Sequence, residues 1–188
     1  MKTILFLDVD GVLSIPNVRN TDERKEHWPG CGVLWPIPMA NALLQAIDAD
    51  DRLLPVWLSA WDCGCWEWNL RAGTKCWAVA YHLSKVRQTW ALRRYPECQG
   101  RHIDGKLLAV RWFLRHSPHT PVVWIEDGFA QETEVWAARE PRVRLVNTWP
   151  MESETACFLR EQHPDLDQAA HEFLNRYCLN VETYVSVK

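Results

Sequence analysis

The stretch Ile4-Leu5-Phe6-Leu7-Asp8-Val9-Asp10-Gly11-Val12-Leu13 decides how the rest of this chain is read. So short an apolar run, closed by Gly, predicts a buried strand over about Thr3–Val9. Side chains in a strand alternate with period two. The spacing therefore sends Asp8 and Asp10 out together at its carboxyl end, into one small volume. Burying like charges side by side is costly unless a cation or a reaction needs them. Gly11 lets the backbone turn sharply around whatever binds there.

Outward from that stretch, strand and helix patterns alternate. Met39–Ala49 carries apolar residues at helical spacing, and Leu53–Leu58 predicts a second buried strand that ends at Ser59. Asp104 caps a predicted helix running to about Arg115. Val122–Ile125 predicts a third strand, closed by Glu126-Asp127-Gly128, and a helix follows over about Ala130–Arg139. Val143–Val146 predicts a fourth strand, with helices over about Glu152–Gln162 and Leu166–Leu179. Ser14–Pro36 reads as an excursion over the surface. Asp62–Gly100 holds helical stretches near Trp66–Arg71 and Lys85–Tyr95. The alternation predicts an α/β fold: a Rossmann-like three-layer sandwich around a mostly parallel central sheet. Residues 1–188 are expected to form one domain, with a small helical lid at about 62–101. Such sheets bind ligands outside the carboxyl ends of their strands, beside a topological switch point. Asp8/Asp10, Ser59 and Glu126/Asp127 all fall at predicted strand ends, which points to a single site.

Composition narrows the function classes. An apolar content of 47% and a charged content of 24% fit a soluble globular protein. No apolar run approaches the roughly 18–20 residues of a membrane-spanning helix, so no membrane partner is expected. The N-terminal apolar stretch is short and interrupted by Asp8 and Asp10, unlike a signal peptide. Seven scattered Cys then read as free thiols in a reducing cytoplasm. Cys63-Gly64-Cys65, with Cys76, His82, Cys98 and His102, departs from the usual Cys-x2–4-Cys zinc knuckle, so structural zinc is the weaker reading.

In order along the chain come Asp8-Val9-Asp10-Gly11-Val12, then Ser59 within Trp57-Leu58-Ser59-Ala60-Trp61, then Lys106, then Trp124-Ile125-Glu126-Asp127. This order resembles the four motifs of the haloacid dehalogenase-like hydrolase superfamily, over about Lys2–Asn147. The resemblance implies the HAD-like fold with a minimal cap, and a Mg²⁺-dependent phosphomonoester hydrolase. It implies that Asp8 is the nucleophile that forms an aspartyl-phosphate. Asp10 would be general acid and then base, Ser59 a donor to the phosphoryl group, and Lys106 its cationic partner. Mg²⁺ would sit among Asp8, the Asp10 carbonyl and Asp127, with Glu126 as the outer carboxylate. Glu126 stands where many relatives carry Asp or Gly, which leaves Glu132 as a second candidate. Lys85 is a rival to Lys106. Relatives that cleave carbon–halogen bonds do not use the second Asp, and related transport ATPases carry Thr there; Asp10 therefore favours a phosphatase or phosphomutase.

The expected partner is a phosphorylated substrate. Ser84–Ser117 carries eight Lys/Arg against two acids, a local excess of +6 in a chain of net −3. Trp61, Trp66 and Trp68 follow the second motif and offer rings for base stacking. Both features favour nucleotides or nucleic-acid phosphate ends, with small sugar phosphates as the alternative. The small core and the Trp near the second motif also resemble HAD domains of bacterial nucleic-acid-repair proteins. A non-catalytic module that holds a phosphate or an RNA end is the reading from another class.

Overall fold

The computed structural model describes residues 2–16, 34–80, 93 and 105–179. Five strands build an all-parallel sheet: β1 (Thr3–Leu7), β4 (Leu53–Trp57), β5 (Ala78–Val79), β6 (Val122–Glu126) and β7 (Val143–Asn147). Their spatial order is β5-β4-β1-β6-β7. The chain first adds strands on one side of β1 and then on the other. The switch point of this Rossmann-like arrangement thus lies between β1 and β6, the strands that carry the two acidic motifs. Two short strands, β2 (Ser14–Pro16) and β3 (Leu34–Pro36), pair antiparallel outside the sheet and bracket the predicted surface excursion. Residues 17–33 of that excursion lie outside the described residues.

Helices cover both faces. β1 is buried along its whole length, and its side chains divide by parity. Leu5 and Leu7 join one core cluster, with residues of α1 (Ala40–Ala49), α2 (Trp66–Ala72), α5 (Glu154–Arg160) and α6 (Leu166–Phe173). Ile4 and Phe6 join a second cluster, with residues of α3 (Gly105–His116). Trp136, from α4 (Gln131–Ala137), packs against that second cluster. Local chemistry sets several helix ends. Ser153 accepts a hydrogen bond from the Ala156 amide and Asp165 from the Gln168 amide, each satisfying an orphan donor of the first turn. A π-helix, Leu174–Leu179, completes the predicted terminal helix.

One element carries no signal in the sequence. β5 is two residues long, too short for any periodic signal. Pro55 lies inside β4, where a proline would normally break a central strand; among the described residues β5 pairs only with Val56 and Trp57, so it leaves that side of β4 unpaired at Pro55. The proposed lid is described only in its first part. Asp62–Cys65 forms a 3₁₀ turn and runs into α2, which ends at the left-handed Gly73. The stretch from 81 to 104, with Arg93 excepted, lies outside the described residues, and with it the predicted helix at Lys85–Tyr95 and the Asp104 cap.

Candidate active site

Strand parity explains how the site assembles. Asp8 follows Ile4 and Phe6 on the α3 side of the sheet, and Glu126 follows Val122 and Trp124 on that same side. The two strands run in register, with Leu7 opposite Ile125 and the Asp8 amide donating to the Ile125 carbonyl at 3.2 Å. Asp8 and Glu126 therefore arrive side by side. Lys106 lies in the first turn of α3, the helix that covers this face. Its Nζ reaches Asp8 Oδ2 at 3.0 Å and Glu126 Oε1 at 2.7 Å. The other Glu126 oxygen, Oε2, accepts the Trp124 indole N–H at 3.2 Å. Asp8 and Glu126 are only 3% and 4% exposed. Carboxylate oxygens of Asp8, Glu126 and Asp127 lie within 4.8 Å of one another. Asp8 Oδ1 is buried with no hydrogen-bond partner.

The electrostatics follow from that crowding. Burial first, and then the Asp8 charge, push the Glu126 carboxyl above the ordinary glutamate range, against the opposing pull of Lys106. Burial alone would lower the Lys106 ammonium; the Asp8 and Glu126 carboxylates outweigh it and hold that ammonium above its ordinary value. Three carboxyl groups therefore share this volume with a single ammonium. The ions that such a set of hard oxygen donors fits are Mg²⁺ and its like, and the unsatisfied Asp8 oxygen is a ready ligand atom.

Asp10 is aimed by a turn rather than by the strand. β1 ends at Leu7, and the chain then turns tightly, the amides of Val12, Leu13 and Ser14 all bonding back to the Val9 carbonyl. Asp10 is not one of the three clustered carboxylates, though its carboxyl feels the Asp8 and Asp127 charges. Its oxygens instead accept the Trp61 indole N–H, at 3.0 Å to Oδ1 and 2.9 Å to Oδ2, and Ser14 Oγ adds a longer bond of 3.4 Å. Burial raises the Asp10 carboxyl above its ordinary range; the Trp61 bond opposes this and the Asp8 charge adds to it. Period two holds only while the ladder lasts: the Asp8 amide is still bonded to β6, and the Val9 carbonyl is already taken by the turn.

Ser59 is fully buried at the end of β4, one strand from Asp8: the Leu58 amide before it donates to the Leu7 carbonyl at 2.9 Å. The buried Cys65 thiol stands beside Ser59, and burial pushes it up to about 12. Gly11 is required twice over. Its φ is +72°, and a Cβ there would lie 2.2 Å from Asp127 Cβ. Only a residue without a side chain lets Asp127 come this close to the loop after β1.

Several contributors carry no motif signal. Thr148 Oγ1 donates to the Gly11 carbonyl at 3.0 Å, and its amide donates to the Glu126 carbonyl at 2.9 Å, tying the two acidic loops together. Thr148 follows the end of β7, so the strand-end rule that singled out Ser59 applies to it as well. Arg160 Nη2 also reaches the Gly11 carbonyl, at 3.0 Å, and nothing local in the sequence marks it. The Trp set divides: Trp68 is 1% exposed and packs in the core, so it offers no ring to a base. Trp66 is exposed and bonds the Trp77 carbonyl, and Trp61 holds Asp10. Glu132, the alternative outer carboxylate, is not part of the acidic cluster. Lys85, His82, Cys98 and His102 lie outside the described residues. Among the described residues, Cys63, Cys65, Cys76, Cys157 and Cys178 are free thiols. No helix among the described residues is long and apolar enough to cross a membrane.

No protein-family model, no curated protein and no solved structure matches this chain.

Proposed function

We propose that this chain is a Mg²⁺-dependent phosphomonoester hydrolase of the haloacid dehalogenase-like type. One observation carries the reading: Lys106 bridges two buried carboxylates, Asp8 and Glu126, at a sheet switch point, with Asp127 beside them. A purely structural ion pair has no use for the surplus carboxylates, whereas a cation-assisted reaction on a phosphate dianion needs them.

Asp8 is the nucleophile. Its carboxylate attacks phosphorus, the ester oxygen leaves, and an aspartyl-phosphate forms on Asp8. Lys106 pairs with Asp8 at 3.0 Å and lies within reach of the phosphoryl oxygens. Glu126, engaged through both oxygens, orients Lys106. Asp10 protonates the leaving oxygen and then takes a proton from the attacking water. Ser59 donates to a phosphoryl oxygen. Asp8 and Asp127, together with the Asp10 carbonyl, would hold Mg²⁺, and the charge it supplies would offset the repulsion between Asp8 and the dianion. The substrate class is a phosphate monoester. The basic stretch from Lys85 to Arg115 favours nucleotides or nucleic-acid ends.

Phosphate release from p-nitrophenyl phosphate, with and without Mg²⁺, tests this directly. Asp8→Asn is expected to lower turnover by at least about 10⁴-fold, since no nucleophile remains. Retained turnover in Asp8→Asn would refute the reading. Product with the phosphate moved and none released would make the enzyme a mutase. Mg²⁺-dependent binding of phosphorylated oligonucleotides without turnover would make it a binding module.

A further inference from the structure

We infer that Trp61 is a positioning residue that holds Asp10 for its role as general acid and base, coupling the segment after β4 to the loop after β1. The inference rests on the phosphatase reading above. Strand geometry does not aim Asp10, because β1 has already ended and the chain has turned. Something else must fix a carboxylate that is half-buried on a turn. The indole N–H of Trp61 lies nearly equidistant from both Asp10 oxygens, at 3.0 and 2.9 Å. A donor centred between the two oxygens restrains rotation of the carboxylate plane, as a donor to one oxygen does not. Ser14, at 3.4 Å, contributes less.

Trp61 is itself held. The Asp62 amide bonds back to the Ser59 carbonyl and the Gly64 amide to the Trp61 carbonyl, closing two successive turns around it. Asp62 takes the left-handed conformation, φ +54°, which Asp tolerates better than most side chains do. The Trp61 amide lies 3.4 Å from Ser59 Oγ, and its ring packs edge-on against the buried Trp68 at 6.3 Å. The turn that presents Ser59 therefore also presents Trp61. A substrate ring stacking on Trp61 would compete for a side chain already committed to Asp10.

Leaving-group chemistry separates positioning from bulk structure. An alkyl phosphate needs its leaving oxygen protonated, while p-nitrophenolate leaves without help. In Trp61→Phe, which keeps an aromatic ring against Trp68 but has no donor, kcat/KM for an alkyl phosphate is expected to fall about tenfold to a hundredfold, the equivalent of one hydrogen bond to a charged group. kcat/KM reports only the steps up to departure of the leaving group, so with p-nitrophenyl phosphate the same variant should stay within about threefold of wild type in kcat/KM. Asp10→Asn should show the same selectivity in kcat/KM, while its kcat falls on both esters because water attack on the aspartyl-phosphate needs the base whichever alcohol has left. Adding Trp61→Phe to Asp10→Asn should cost little more, because the pair acts as one unit. Equal losses of kcat/KM on both esters, or a full additional loss in the double variant, would overturn the role of Trp61 and leave the phosphatase reading standing. Wild-type protein that cleaves neither ester would overturn both. A Trp61→Phe chain that fails to fold would show a structural role and overturn the inference; circular dichroism and the urea midpoint read that outcome.

Discussion

Lys106→Met isolates the charge balance on which the site depends. Methionine keeps an unbranched stem of similar length and removes the ammonium. Two ion pairs are lost, at 3.0 and 2.7 Å, to carboxylates whose side chains are each 5% exposed. Leaving buried charge uncompensated costs about 3–5 kcal/mol. Burial and the Asp8 charge already raise Glu126 in the parent protein, so the cost of its proton is common to both proteins and the deficit is set by the ammonium that is lost. Protonating a carboxyl whose unfolded-state pKa is near 4.3 costs about 3.7 kcal/mol at pH 7 and about 1 kcal/mol at pH 5, at 1.36 kcal/mol per pH unit. The sign is fixed by linkage: a carboxyl raised in the folded state costs stability above its unfolded pKa, and the cost shrinks as pH falls towards that value. The raised Lys106 of the parent protein works in the opposite sense. Its contribution is fully present below its unfolded pKa of about 10.4 and is lost as pH rises through the folded value, so it is constant between pH 5 and 8. Urea unfolding in chelator should therefore find the variant less stable by about 3–4 kcal/mol at pH 7, the cost of the uncompensated charge and a midpoint shift of roughly 1.5–2 M. Both proteins should gain stability as pH falls from 8 towards 5, because the raised Glu126 is present in each. A deficit below about 0.5 kcal/mol at pH 7, or a parent protein that loses stability as pH falls from 8 to 6, would refute the charge-balance argument.

Two further substitutions probe the same site by other means. Gly11→Ala places a Cβ 2.2 Å from Asp127 Cβ at φ +72°, and should cost on the order of 2–3 kcal/mol, read as a lower Tm; a neutral outcome would mean that Asp127 yields without strain. In the parent protein, Mg²⁺ at a hundred times its Kd should raise stability by about 2.7 kcal/mol. Asp127→Asn removes one of three clustered carboxylates and should abolish most of that gain, whereas an equal rise in both proteins would locate the ion elsewhere.

Much of the architecture was legible because it rests on local periodicity. The apolar run before Asp8, the helical spacing over Met39–Ala49 and the short strands ending at Ser59 and Asp127 each carry their own signal. The observed elements Ala40–Ala49, Leu53–Trp57 and Val122–Glu126 follow them closely. β5 was not legible, since two residues show no period. Among site residues, Asp8, Lys106, Glu126 and Asp127 were marked by position and converge in space. Thr148 and Arg160 were not. They act on the Gly11 carbonyl from far along the chain, and a hydrogen bond to a backbone group leaves no trace in residue type.

Alternation of apolar runs with helical spacing was enough to determine a parallel α/β sheet with its acidic residues at strand ends, because side-chain periodicity is a property of each segment alone. Where the Asp10 carboxylate goes was decided only in three dimensions. Once β1 stops at Leu7, direction passes from strand parity to whatever side chain the fold brings alongside, and that partner is Trp61, fifty-one residues later.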